Sequence, residues 1–174
     1  MMVDLHNLLQ EQLTRLEEAA TILRHSYARC REIGIKADYV LEELDQIEAF
    51  TSRFARMSDL LIQRIFRLID RIDLEDEGTV RDRINRAERK ELIASAAEFT
   101  EIRILRNQIA HEYLPDAMAE IYENVLNLCP RLFDSVERVR TYCQRFRTGE
   151  NAENQASPNT LLSPQHNEIN SFLF

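Results

Sequence analysis

The sequence predicts an all-α fold, an antiparallel bundle of four to five helices, on three observations. Gly and Pro together account for only 7 of 174 residues, so the turn-rich punctuation of a β-sandwich or barrel is missing. Apolar residues recur at steps of three and four over long stretches, the spacing of a helix that buries one face. No window approaches eighteen consecutive apolar residues, and the first stretch, MMVDLHNLLQEQL, mixes polar residues among its leucines. Neither a membrane span nor a secretory signal is therefore expected. At this length one domain with a single core is the prior.

The first helix is read from Leu9, Leu13, Leu16, Ala20, Leu23, Tyr27 and Cys30, and it is expected to end near Gly34. A second long run carries Leu44, Ile47, Phe54, Leu61, Ile65, Leu68 and Ile72, and closes in the acidic stretch DLEDEGT. Asp73 to Thr79 then reads as a surface loop. Thr79 is placed to cap a short arginine-rich helix, TVRDRINRAERK, and Ser95-Ala96-Ala97-Glu98 has the Ser-x-x-Glu form of a capping box that opens a fourth helix. That helix, EFTEIRILRNQIAHEYL, is expected to stop before Pro115, whose ring disfavours helical geometry at Leu114. A last helical stretch begins near Asp116, and Pro130 predicts a kink or a break within it. After Arg147 come two prolines, many amides and no Lys or Arg. The bundle is therefore assigned to residues 1–147 and a flexible tail to residues 148–174.

Cys30, Cys129 and Cys143 are odd in number, far apart and without metal or redox spacing, which predicts buried thiols in a reducing, cytoplasmic compartment. The net charge of −8 repels phosphate backbones at long range, so any nucleic-acid contact must be local. Thr79 to His111 carries seven Lys or Arg against five Asp or Glu, and Arg131 to Arg147 five against two. These are the two segments able to line such a contact. No metal site and no cofactor is expected, since His111-Glu112 lacks the second histidine of a zincin helix and no Gly-rich phosphate loop is present.

One dense constellation remains, Arg-Asn-Gln-Ile-Ala-His-Glu-Tyr, from Arg106 to Tyr113, with Arg103 one turn upstream. At about 100° per residue and taking Arg106 as zero, Arg103 falls at ~60° and Asn107 at ~100° in one polar sector, and Tyr113 at ~−20°, close to Arg106. A guanidinium stabilises phosphoryl oxygens and an imidazole moves protons near neutrality, the two groups phosphodiester transfer most needs without a metal. Yet His111 diverges from Arg106 by roughly 140° on an ideal helix. Either the helix loosens before Pro115, or a two-fold dimer brings the groups of two copies together. The plain alternatives are a histidine complementing a helix end, arginines on a solvated face and a packed tyrosine.

Here the sequence resembles the HEPN superfamily, whose ribonucleases carry Arg, usually a polar residue next, and then His after four to six intervening positions. Arg106, Asn107 and His111 fit that pattern, and Tyr113 completes the form Arg-x4-His-x-Tyr, which is similar to the HepT-like toxins of the HepT/MntA toxin–antitoxin modules. The resemblance extends to the order of helices up to about Arg147. It implies a homodimeric, metal-independent endoribonuclease in which the RNA 2′-hydroxyl attacks the neighbouring phosphorus. By that likeness His111 is the acid or base, Arg106 stabilises the phosphorane and Asn107 positions the phosphate or the imidazole. Arg103 is a weaker RNA-binding candidate added from geometry. The implied partner is an MntA-like nucleotidyltransferase antitoxin that transfers AMP to the motif tyrosine, here Tyr113. The alternative is a non-catalytic helical binding partner of a nucleotidyltransferase.

Overall fold

The computed structural model describes residues 2–111 and 115–155, with side chains described for residues 4–111 and 118–146. All regular elements among them are helical. α1 spans Met2–Ile33 and α2 Leu41–Asp59; a π-helical segment, Leu60–Ile65, and α3, Phe66–Ile72, continue α2 as one rod. α4 spans Val80–Arg89, α5 Ala96–His111 and α6 Pro115–Gln155. The result is the predicted all-α bundle, with five rods.

Local chemistry sets most of the helix ends. Gly34, at φ +69°, lets the chain leave α1 through the left-handed region while its N–H still donates to the Cys30 carbonyl at 3.0 Å. Thr79 caps α4 as expected: its Oγ1 accepts from the Asp82 N–H at 3.3 Å, and Asp82 Oδ2 accepts from the Thr79 N–H at 2.7 Å. Ser95 Oγ accepts from the Glu98 N–H at 3.3 Å at the start of α5, while the Glu98 carboxylate pairs with Arg131 on α6 at 2.8 Å. Pro115 is the first residue of α6, the position where a missing N–H costs least.

α6 is one continuous helix. The helix runs through Pro130 without a break; Pro130 is exposed and the next residue inward, Cys129, is fully buried, so packing of the flanking residues outweighs one lost ladder bond. The helix also continues to Gln155, past the Arg147 boundary set from composition. The rest of the tail lies outside the described residues.

The stripes pair lengthwise. His6 meets Phe146, Glu17 meets Arg140 and Tyr27 meets Phe133, so α1 and α6 run antiparallel. Asp59 meets Arg106 and Phe66 meets Phe99, so α5 runs antiparallel to the rod. The core holds Leu9, Leu16, Leu23, Phe50, Phe54 and Ile102, all fully buried. Each buried side chain of that size contributes about 1.5–3 kcal/mol. All three cysteines are buried free thiols. No helix among the described residues is long and apolar enough to cross a membrane.

Candidate functional site

α5 buries Phe99, Ile102 and Leu105 against the bundle, and that register turns Arg103 and Asn107 to solvent with Arg106 half-buried between them. The Arg106 guanidinium does not stand alone. Its Nε donates to both oxygens of Asp59, at 2.9 and 3.0 Å, and its Nη2 donates to Asp59 Oδ2 at 2.7 Å. This is a two-point fork between the end of α2 and the middle of α5, 47 residues apart in sequence. The fork raises the Arg106 pKa further, chiefly through the hydrogen bond to Asp59, so the charge is permanent. Nη1 is left over and reaches the Asn107 amide oxygen at 3.4 Å. The donors free for a second anion among the described residues are therefore the second hydrogen of Nη1 and the outer hydrogen of Nη2.

The pair opens onto a groove of about 390 Å³ whose walls include Asp59, Gln63 and Arg64 from the rod and Arg103, Arg106 and Asn107 from α5. Three of the residues singled out from sequence thus share one depression. His111 does not line it. It is the last residue of α5 and exposed. α5 remains α-helical up to His111, so loosening of the helix does not turn the imidazole toward Arg106 over that stretch. Tyr113 lies outside the described residues.

Asp59, Gln63 and Arg64 were not legible as site residues. Asp59 ends α2, and Gln63 and Arg64 sit in the π-helical segment that follows, where the Phe66 N–H bonds the Leu61 carbonyl five residues back and one extra residue enters the rod relative to α periodicity. Arg83 of α4 donates to the Ile62 carbonyl at 3.4 Å and to Gln63 Oε1 at 3.2 Å, so a side chain from a neighbouring helix accompanies the irregular turn. A run of LLIQRI carries no residue that announces this. Asp59 falls off the apolar stripe of its helix, but nothing in the sequence places it beside Arg106, 47 residues away.

Beside this groove lies a different ionic cluster. Asp70 is buried and bonded by Arg86 Nε at 2.9 Å and Lys90 Nζ at 2.9 Å; Lys90 also reaches Asp73 at 2.8 Å and Glu75 at 3.1 Å. Burial pulls the Lys90 pKa down, and its bonds to Asp70, Asp73 and Glu75 more than offset this, leaving it raised. Every member is engaged, and the cluster ties α3 to α4. Among the described residues no group of three or more His, Cys, Asp or Glu could hold a metal ion.

The fold and the site together define a helical bundle with an arginine-lined groove between its rod and its fifth helix. Comparison with known proteins finds neither a family model nor a curated protein that matches the chain.

Proposed function

We propose that this chain is a metal-independent endoribonuclease of the HEPN type, acting as a homodimer. The observation that supports the reading is the Arg106 fork: a permanent cation, fixed in orientation by Asp59 and still presenting donors to a groove shared with Arg103 and Asn107. In this reading His111 takes the proton of the RNA 2′-hydroxyl, the O2′–P bond forms and the P–O5′ bond breaks. The departing O5′ receives a proton from water, leaving a cyclic phosphate and a 5′-hydroxyl. Arg106 stabilises the charge on the phosphorane oxygens, and Asn107 positions the phosphate. His111 and Arg106 diverge along α5, so the imidazole that serves a given Arg106 comes from a second copy across a two-fold axis. By the same resemblance, an MntA-like nucleotidyltransferase antitoxin silences the toxin by AMP transfer to Tyr113, which adds negative charge to the protein and repels RNA.

A second reading is favoured by the same ion pair. Asp59 already neutralises Arg106, so the arginine can be a purely structural link between the rod and α5, and the chain a non-catalytic binding partner of a nucleotidyltransferase. Single-stranded RNA incubated with the full chain in chelator separates the two. Cleavage with cyclic phosphate ends, lost in Arg106→Ala and His111→Ala, is expected. Intact RNA with the unmodified wild-type protein would sink the ribonuclease reading. Mass steps of one AMP on co-production with the antitoxin, absent in Tyr113→Phe, test the silencing.

A further inference from the structure

The end of the rod carries a row of arginines that the proposed chemistry does not use. Arg64, Arg67 and Arg71 follow one another at steps of three and four, so they share one helix face, and all three are exposed. Arg64 belongs to two depressions. One is the groove under Arg106, which it lines with Arg103. The other, of about 360 Å³, it lines with Arg67 and Arg71, over an apolar floor of Leu8 and Leu68. Gln63 also lines both. The two depressions therefore adjoin along the rod and make one path that ends at Arg106.

The charge along this path is not balanced from within. Among the described residues no ion pair engages Arg64, Arg67 or Arg103, and Arg71 faces Asp76 only at 4.0 Å with both side chains about half exposed. Beneath the row, Arg83 is buried and its Nε has no hydrogen-bond partner among the described residues. Its pKa is lowered, first by burial and then by the charge of Arg67. Arg24, Arg86, Arg131 and Arg140, by contrast, sit beside carboxylates. A strip of mutually repelling cations on a chain of net charge −8 is relieved by a bound polyanion.

We propose that Arg64, Arg67, Arg71 and Arg103 form a track for single-stranded RNA leading to Arg106. The inference rests on the ribonuclease reading for its direction and its ligand class. The lining favours a single strand over a duplex. Guanidinium groups take the phosphates or stack on bases through their planar faces. Leu8, 38% exposed, offers apolar surface that an unpaired base can cover, with the buried Leu68 behind it. A duplex keeps its bases stacked inside and leaves that floor wet.

The test is the salt dependence of binding, with the full chain and a 2′-O-methyl single-stranded oligonucleotide that cannot be cleaved through its 2′-position. Each phosphate contact contributes about −0.7 to the slope of log K against log salt for single strands. The triple variant Arg64→Gln, Arg67→Gln, Arg71→Gln is expected to bind more weakly with a slope shallower by about 2. The corresponding triple Lys variant keeps the charges and is expected to retain most of the slope, which separates lost contacts from lost folding. An unchanged slope in the Gln variant overturns the track, as does a wild-type protein that does not bind the oligonucleotide. Duplex RNA competing as well as the single strand overturns the choice of ligand. Cleavage by wild type with an unchanged slope would remove the track and leave the ribonuclease; an altered slope without cleavage would do the reverse.

Discussion

Two arginine–carboxylate contacts on the same rod differ in one respect, access to water. Asp70 is 2% exposed and its partners Arg86 and Lys90 are 10% and 11% exposed, whereas Asp59 and Arg106 are 40% and 33% exposed. Both pairs have short, well-formed bonds, so geometry alone does not distinguish them. Burial does. A sealed pair has lost its hydration and depends on its partner for nearly all compensation; a half-open pair keeps water and can share its donors with an incoming anion. The Asp70 cluster therefore belongs to the architecture, and the Asp59 fork is the one that can serve a ligand.

The largest expected effect tests the sealed side. Asp70→Asn leaves Arg86 and Lys90 buried without their shared carboxylate, and a loss of about 3–5 kcal/mol in urea unfolding is expected, the usual cost of breaking a buried pair from one side. If it costs no more than the matching change at Asp59, the contrast fails.

Acid unfolding sharpens the same contrast. Burial by itself would raise the Asp73 carboxyl, but hydrogen bonds from Lys90 and Tyr142, with the charges of Lys90 and Arg145, bring it below its ordinary value. Tyr142 Oη donates to Asp73 Oδ2 at 2.6 Å, and Arg145 Nη2 lies 2.7 Å from Oδ1. With the folded pKa below the unfolded one, the unfolded chain binds protons first as pH falls. This stabilisation is present above about pH 4 and is lost as pH drops through the lowered folded value. Lys90 has the opposite sign: its raised pKa contributes stability below the ordinary lysine value, lost as pH rises through the folded one. Urea midpoints measured across the acid limb are expected to fall more gently in Tyr142→Phe than in wild type. Parallel limbs would show that Asp73 owes nothing to the tyrosine.

How much of this was legible beforehand depended on whether the information was local. Gly34, the Thr79–Asp82 box and Ser95 announce helix ends because a cap uses residues within one turn. The leucine and isoleucine stripes gave the core for the same reason. Pro130 does not break its helix, because its penalty is local while the packing of Cys129, Leu132 and Val136 around it is not. Arg103, Arg106 and Asn107 stood out as a polar sector on one helix, but Asp59 is joined to them only through tertiary packing. Nothing in LLIQRI signals the extra residue that the rod absorbs beside it. The row Arg64, Arg67, Arg71 was in plain view as helical spacing, yet it lies outside both segments whose net charge drew notice.

The smallest effect on stability concerns Asp59 itself, and it sharpens the comparison most. Asp59→Asn removes a half-exposed partner, so a cost of no more than about 1 kcal/mol is expected in unfolding. If the chain is the proposed ribonuclease, the effect on RNA cleavage divides. Deleting the carboxylate removes a negative charge beside the phosphate site, so KM for RNA is expected to fall. The guanidinium at the same time loses the fork that fixes its direction, so kcat is expected to drop by about tenfold to a hundredfold, the range in which misorientation of a reacting group is felt. A purely structural Asp59 would change neither parameter once the protein is folded, and an Asp59 that merely masks Arg106 would give a lower KM with kcat unchanged or raised. Only a positioning role lowers both, because tighter ground-state binding and poorer transition-state alignment then follow from the same lost bond.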